Sequence, residues 1–328
     1  MKKKRALSGI QPSGKLHLGN LVGALSNWVR LQDSYECFFF IADLHALTTG
    51  YADTSKLKEN LMDVAIDMLA AGLTEEKSTL FVQSDIPEHS ELHLMFSMIT
   101  PLAWLERVPT YKSQIEELKE KDLGTYGFLG YPVLQAADIL IYKADVVPVG
   151  QDQLPHLELT REIGRRFNYF YKEIFPQPKA LMTETPVLMG LDGRKMSKSY
   201  GNTINISDPP DIVRRKVMEA ITDPARVKKE DKGHPEVCNI FAYQKFFNKK
   251  ESAQIEADCK SAKIGCVACK KIIAEILVSY LAPIYDRRKA LEKKKDDVLE
   301  IFKSGGIKAQ AIARQTLNEA KKAMGIIG

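Results

Sequence analysis

Two short segments carry the residues best suited to phosphate chemistry. Lys195-Met196-Ser197-Lys198-Ser199 follows Gly190-Leu-Asp-Gly193-Arg194. Glycines on the approach favour a loop that can move, and Lys195 and Lys198 can bring two positive charges to one polyphosphate. Far upstream, Pro12-Ser-Gly-Lys-Leu-His17-Leu-Gly19-Asn20 leads from a strand-like run into a helical pattern. A helix N-terminus offers unpaired N–H groups and a partial positive charge, which suits an anion. His17 adds a donor there, and Gly19 lets a flat ring approach the backbone without a Cβ in the way. The stretch Gly9-Ile-Gln-Pro-Ser-Gly14-Lys15-Leu16 nearly matches a phosphate-cradling P-loop. Leu16, however, stands where a hydroxyl must ligate Mg²⁺, and Pro12 removes a backbone donor. The near-match is read as a decoy.

Cysteines form a third grouping. Cys238, Cys259, Cys266 and Cys269 give C-x20-C-x6-C-x2-C, four of the five cysteines in the chain. Thiolates two residues apart can share one ion, so a metal is expected rather than disulfides. Residues 244–271 hold seven Lys against three acidic residues, which is expected to lower thiolate pKa and favour ligation. A four-cysteine set serves zinc and iron–sulfur clusters alike. Cys37, beside Phe38, Phe39 and Phe40, reads as core.

Such groups need a scaffold. The chain has 328 residues, 45% hydrophobic and 27% charged, which excludes a mostly disordered protein and allows about two domains. Residues 6–10, 37–47, 78–84 and 145–150 read as buried strands, and residues 20–32 and 55–71 as helices with one apolar face. This alternation predicts an α/β fold with a doubly wound parallel sheet over residues 1–205. After Asn205 the β signal fades, and stretches such as 211–220 and 270–281 predict a smaller α-helical C-terminal domain, 206–328, entered at Ser207-Asp208-Pro209-Pro210. Charge divides along the same line. Residues 1–203 hold 22 basic and 25 acidic side chains, and residues 204–328 hold 25 and 17, so the overall +5 splits into −3 and +8. A basic C-terminal region suits a polyanion. The basic start (Lys2, Lys3, Lys4, Arg5) is followed by too short an apolar stretch for a secretion signal. No apolar run nears the roughly 18 residues of a membrane helix. A cytoplasmic protein without a membrane span is expected.

Taken together, the first two segments resemble the signature pair of class I aminoacyl-tRNA synthetases: the HIGH-type motif, here His17-Leu-Gly-Asn20, and the KMSKS loop, here unbroken. The wider sequence resembles the bacterial tryptophanyl-tRNA synthetases. The matching strings are Ser8-Gly-Ile-Gln-Pro-Ser-Gly14, Gly19-Asn-x-x-Gly-Ala24, Asp43-x-His-Ala46, Leu105-Glu-Arg107, Ala136-Ala-Asp-Ile-Leu140, Val147-Pro-Val-Gly-x-Asp-Gln153 and His156-x-Glu-Leu-Thr-Arg161. The resemblance covers most of residues 6–203 and continues more weakly to the end. It implies a Rossmann-like catalytic domain, ATP with Mg²⁺, L-tryptophan and tRNA(Trp) as partners, and a homodimer. It implies that Gln11, Pro12, Ser13, Gly19, Asn20, Gly150, Gln151, Asp152 and Val187 bind ATP together with Lys195, Met196, Ser197, Lys198 and Ser199. His17, Lys195, Lys198 and Lys112 would act in catalysis, the lysines on the leaving pyrophosphate. Asp138 stands at the family position that accepts the indole N–H, and an acidic acceptor suits a donor-only ligand. His45, Tyr131, Gln135, Val147, Val149 and Gln153 would complete the tryptophan pocket. A subset of the family carries a C-terminal four-cysteine motif with a [4Fe–4S] cluster, so that cluster is expected here, with Zn²⁺ as the alternative.

Two residues depart from the family pattern. Leu7 stands where many relatives carry Phe, and Gln135 where many carry Met. A tyrosyl-tRNA synthetase, which places Tyr at the first of these positions, is the nearest alternative. A nucleic-acid-binding metal module without ligase activity is the alternative from another class.

Overall fold

The structure, a computed structural model, describes residues 3–109, 111, 122–182, 188–228 and 230–326. Five parallel strands form one sheet in the order β3-β2-β1-β4-β5: β1 (Arg5–Ile10), β2 (Glu36–Ile41), β3 (Ser78–Val82), β4 (Val146–Val149) and β5 (Lys179–Met182). The winding direction reverses between β1 and β4, and open α/β sheets bind ligands at the carboxyl ends of strands flanking such a switch point. The fold is the doubly wound, Rossmann-like one expected from the alternation.

Strand β2 shows why its residues read as one apolar run. Cys37, Phe39 and Ile41 enter the core on one face of the sheet, and Phe38 and Phe40 the core on the other. A parallel strand covered on both faces has no polar side to display. Trp28 lies flat on Phe39, ring centroids 4.7 Å apart. The strand expected over 37–47 stops at Ile41, and helix α1 (Asp43–Gly50) takes over. Asp43 Oδ1 accepts from the Leu44 and Ser84 N–H groups, tying the turn to the segment after β3. Strand β5 escaped the sequence reading because it is four residues long and only part-buried at the sheet edge.

The helix expected over 20–32 begins earlier, at Leu18, and has three parts: an α turn (Leu18–Asn20), a π-helical stretch (Leu21–Leu25) and a second α segment (Ser26–Leu31). Such π-bulges occur frequently at functional sites. Helices α2 (Leu57–Ala70), α3 (Glu88–Ile99), α4 (Tyr126–Ile141) and α5 (Leu154–Phe170) cover the sheet. Beyond residue 205 the described chain continues with α6 (Pro210–Glu219), α7 (Asn239–Phe247), α8 (Ser252–Lys260), α9 (Cys266–Leu291) and α10 (Lys295–Ala323).

Helix α10 returns to the sheet and lies against β3. A Cβ added at Gly305 would stand 1.8 Å from the Leu80 carbonyl oxygen, so only glycine permits this approach. Ala309, Ala313, Leu317 and Ala320 follow along the same buried stripe. Lys143 reaches Glu319 at 2.7 Å, and Arg314 reaches Glu88 at 3.2 Å, at the margins of this contact.

Candidate functional site

A cleft of about 400 Å³ opens at the carboxyl ends of β1 and β4. Leu7, Gly9 and Gln11 line it from the first strand and turn, Asn20 and Ala24 from the signature helix, and Phe40 from β2. His45 of α1 and Tyr131, Gln135 and Asp138 of α4 form the opposite wall. Val147, Val149, Gly150, Gln153 and His156 close it from β4 and the start of α5. The volume suits a small organic ligand. At Gly9 a Cβ would strike the Phe40 ring at 2.5 Å, so this residue sets how closely β1 and β2 pack beneath the cleft.

Asp138 lies on the buried side of α4, 2% exposed. Its Oδ2 accepts from His45 Nε2 at 2.8 Å, its Oδ1 from His89 Nδ1 at 2.5 Å, and both oxygens from Gln83 Nε2 at 2.8 and 2.9 Å. Tyr142 donates to His89 Nε2 at 2.7 Å, which leaves the His89 proton on Nδ1, toward the carboxylate. Burial alone would raise the Asp138 pKa. The bonds from His45 and His89 outweigh it and hold the carboxyl near 2, ionised at neutral pH. The cleft therefore presents a fixed negative acceptor, with Leu7, Phe40, Val147 and Val149 as the apolar part of its lining.

A second chain of hydrogen bonds runs along the other side. Gly150 leads into it, with the exposed Asp152 carboxylate folded over the position its Cβ would occupy. Gln153 Nε2 donates to Asp152 Oδ2 at 3.1 Å, and Gln153 Oε1 faces His156 Nδ1 at 2.8 Å. His156 Nε2 then accepts from the Tyr131 hydroxyl at 3.0 Å. Burial lowers the His156 pKa to about 4, so the ring is neutral and relays orientation rather than charge.

The signature segments touch. Gly19 N–H points at Met196 Sδ at 3.4 Å. Lys198 Nζ donates to the Gly14 carbonyl at 2.7 Å and to Ser13 Oγ at 3.1 Å. The loop is braced by Asn202, whose Oδ1 accepts from Ser197 N–H at 2.8 Å while its Nδ2 donates to Asp192 and to the Lys195 carbonyl. Gly190 admits that brace, since a Cβ there would overlap the Asn202 side chain at 2.3 Å. Asn20 N–H donates to His17 Nδ1 at 3.3 Å, which puts the His17 proton on Nε2. Burial, then the charge of Lys198, lowers the His17 pKa to about 4. The ring is a neutral donor at physiological pH. Burial also lowers Lys198, to about 8, against the pull of Asp67 and Asp63.

The structure thus brings together at one cleft Gln11, Asn20, His45, Tyr131, Gln135, Asp138, Gly150 and Gln153. Pro12, Ser13, His17, Gly19, Met196, Ser197 and Lys198 stand on the adjoining turns, and the Lys198–Tyr200 turn also carries Ser199. Gln151 and Asp152 are exposed at the rim, and Lys195 is exposed on its loop, its backbone bridged to Met189. Lys112 and Val187 lie outside the described residues. His89, Gln83 and His156 escaped the sequence reading as site residues. His156 lay within a matched string. Nothing in the sequence marks the link of His89 and Gln83 to Asp138, made from other elements.

The four cysteines converge on one small cavity, with Ile240, Phe241, Ile255 and Ile264 as apolar walls. Cys238 precedes α7, Cys259 lies on α8, and Cys266 and Cys269 open α9. Gln244 Nε2 donates to the Cys269 carbonyl at 3.0 Å and reaches its Sγ at 3.5 Å. Arg226 Nη1 reaches Cys259 Sγ at 3.8 Å. The expected lowering of the thiol pKa by neighbouring lysines is corrected by the structure. Lys245, Lys249, Lys250, Lys260, Lys263 and Lys271 are exposed to solvent. Burial instead raises Cys238, Cys259 and Cys269, the last to about 11. Arg226 beside Cys259 pulls that thiol down without overcoming burial. Among the described residues, no group of three or more His, Cys, Asp or Glu side chains forms a metal-ion cage. No helix among them is long and apolar enough to cross a membrane.

Comparison with known proteins agrees with this geometry. The family described as tRNA synthetases class I (W and Y) matches residues 1–282. The tryptophan–tRNA ligase of Thermotoga maritima is 51% identical over 326 residues, covering 98% of this chain and 99% of that protein. The tryptophan–tRNA ligase of Aquifex aeolicus is 45% identical over 393 aligned positions, covering 98% and 100%. The crystal structure of tryptophanyl-tRNA synthetase from Campylobacter jejuni complexed with ADP and tryptophan is similar at a TM-score of 0.87 and 35% identity, over 98% of this chain and 99% of that one. A doubly wound sheet, two signature segments in contact, an ionised acceptor in the cleft and full-length relatives lead to one conclusion: this chain belongs to the bacterial tryptophanyl-tRNA synthetases, within the class I tRNA synthetases.

Proposed function

We infer that this chain is a tryptophan–tRNA ligase: it activates L-tryptophan with ATP and transfers it to tRNA(Trp), releasing pyrophosphate and AMP. The observation that carries this reading is the buried, ionised Asp138 in a cleft bordered by the two signature segments. The indole N–H is a donor without acceptor capacity, so a fixed carboxylate is a matching partner. Leu7 at the cleft wall offers a tyrosine hydroxyl nothing to bond.

In the first step a tryptophan carboxylate oxygen attacks the α-phosphorus of ATP, and the bond to the bridging oxygen of pyrophosphate breaks. The chain needs no protein nucleophile, because positioning and charge stabilisation suffice for such a transfer. Gln11, Pro12, Ser13, Gly19 and Asn20 hold the nucleotide, with Gly150, Gln151 and Asp152 at the ribose side and Val187 by the adenine. His17 Nε2–H donates to a phosphate oxygen. Lys195 and Lys198, with Lys112, neutralise the charge that develops on the pyrophosphate. Met196, Ser197 and Ser199 carry those lysines on one loop. Mg²⁺ accompanies the nucleotide, held through phosphates and water. His45, Tyr131, Gln135 and Gln153 shape the tryptophan pocket. In the second step a hydroxyl of the terminal tRNA ribose attacks the tryptophanyl carbonyl, and AMP leaves.

The division at residue 205 assigns the nucleotide and tryptophan sites to 1–205 and tRNA anticodon contact to the basic helices of 206–328, whose net charge of +8 suits a polyanion. A cytoplasmic homodimer is the expected form. Cys238, Cys259, Cys266 and Cys269 would hold a [4Fe–4S] cluster, or alternatively Zn²⁺. What supports this reading is that all four cysteines line one small cavity with apolar neighbours, and a four-cysteine set serves either group. It would order the basic helices, and no step of ligation passes through it. Anaerobically purified protein is expected to be brown with absorbance near 400 nm; colourless protein with stoichiometric zinc selects the alternative, and protein with neither metal refutes both. The function itself is tested by ATP–pyrophosphate exchange run with tryptophan and with tyrosine. Exchange with tryptophan is expected. Exchange with tyrosine alone would make it a tyrosyl enzyme, and none with either would leave a binding module.

A further inference from the structure

Behind the signature turn lies an ion pair that the ligase mechanism above does not use. Arg288 of α9 is 2% exposed and Asp67 of α2 is fully buried. Arg288 Nη1 bonds Asp67 Oδ1 and also the Asp63 carbonyl, while its Nη2 bonds Asp63 Oδ1 and its Nε bonds Glu292. The other Asp67 oxygen, Oδ2, accepts from the backbone N–H of Leu16 at 2.8 Å. Leu16 immediately precedes His17. It sits in a strap in which Ile206 N–H bonds the Leu16 carbonyl and Leu18 N–H bonds the Ile204 carbonyl. Asp67 therefore satisfies the Leu16 backbone donor, which the strap leaves open, as the Asn20 side chain satisfies that of His17. The charges of Asp67 and Asp63 also act on Lys198. Along helix α9, Cys266 and Arg288 are 22 residues apart, about 33 Å at the standard helical rise, so the first turn stands at the cysteine cavity and the last turns at this ion pair.

A buried ion pair is poor evidence of stabilisation, since removing its two charges from water costs as much as their attraction returns. What a guanidinium fork gives in addition is direction: it fixes the rotation of the carboxylate it grips. Here that rotation decides where Oδ2 points, and Oδ2 holds Leu16. We propose that Arg288, acting through Asp67, is a positioning residue for adenylate formation: it fixes the backbone at Leu16, hence the turn that presents His17, and couples that turn to the helix carrying Cys266 and Cys269. The proposal rests on the ligase reading, and tryptophan-dependent exchange by the unaltered chain is the control that separates failure of the one from failure of the other.

Two double variants test it in the full-length protein. Asp67→Asn/Arg288→Met removes both charges but keeps an oxygen for Leu16 N–H, while Asp67→Leu/Arg288→Met removes both charges and the acceptor. In pyrophosphate exchange the Leu/Met variant is expected to lose at least tenfold in kcat, with the dissociation constant for tryptophan within twofold of the unaltered chain. The Asn/Met variant, which keeps the acceptor oxygen but not the fork that aims it, is expected to fall between the two, at least threefold below the unaltered chain, and a kcat equal to that chain's would refute a role for Arg288. Equal kcat in the two variants, or a loss shared by tryptophan binding, would overturn the proposal. Should the Leu/Met variant not fold, Arg288→Lys decides: it keeps the charge and loses the fork. A fall in kcat without change in tryptophan affinity supports positioning, and an unchanged kcat refutes it.

Discussion

Replacing Asp138 by Asn probes the proposed tryptophan pocket most directly. The substitution keeps the shape and removes the charge. In the native site both carboxylate oxygens accept, from His45, His89 and Gln83. A carboxamide has one oxygen and a pair of donors, so at least one of these neighbours, or the indole N–H itself, meets a donor instead. A hydrogen bond to a charged group contributes roughly 1.5–3 kcal/mol, which corresponds to about a 10- to 150-fold rise in KM for tryptophan. The KM for ATP should stay within about twofold, because the described partners of Asp138 are His45, His89 and Gln83, none of them assigned to ATP. The fold also loses something. The carboxyl is held at about 2 against its ordinary 3.8, a difference of about 2 kcal/mol at 1.36 kcal/mol per unit. A depressed acid stabilises the fold above its unfolded pKa and loses that contribution as pH falls through the folded one. The gap in unfolding free energy between the two proteins should therefore be constant from pH 5 to 7 and narrow below pH 4. Pyrophosphate exchange with each substrate varied in turn supplies the kinetic half, and urea unfolding across pH the other. A rise in KM for ATP with that for tryptophan unchanged would refute the assignment of Asp138.

Other outcomes follow from the same geometry. Lys198→Ala should lower kcat for adenylate formation by about 10²–10³, the usual cost of losing one preorganised charge-stabilising donor, with tryptophan affinity unchanged by equilibrium titration. Because Lys198 sits near 8, kcat/KM for ATP should fall as pH rises through that value, and Lys198→Arg should abolish this limb. His17, near 4, should contribute no limb between pH 5 and 7, which the same profile checks. Gly305→Ala forces a Cβ toward the Leu80 carbonyl and should cost about 1–3 kcal/mol, seen as a lowered melting temperature. An unchanged melting temperature would mean that α10 is not held against β3.

Much of the site was legible before any coordinate. The string from Gly9 to Asn20 and the unbroken Lys195–Ser199 loop are contiguous, and local backbone chemistry explains why: a strand must end, a helix must begin, and N–H groups must be left over for a ligand. The spacing of Cys238, Cys259, Cys266 and Cys269 likewise pointed to one place, and the four line one cavity. The lysines around them misled, because a run of charge in sequence does not say whether the side chains face the thiols or the solvent.

Sequence alone, then, singled out two short segments that meet in the structure and an acid that lines the adjoining cleft, and predicted the alternation of strands and helices that holds them. Only the tertiary structure decided what state those groups are in. Asp138 is ionised because His89 of α3, Gln83 after β3 and His45 of α1 reach it from three elements. The turn before His17 is held by Asp67, which Arg288 grips across 221 positions of chain. Helix α10, far from β3 in sequence, lies on it because Gly305 has no side chain to prevent the contact. Hydrogen bonding and desolvation depend on which atoms lie within about 3 Å, and for residues so distant along the chain packing alone sets that distance.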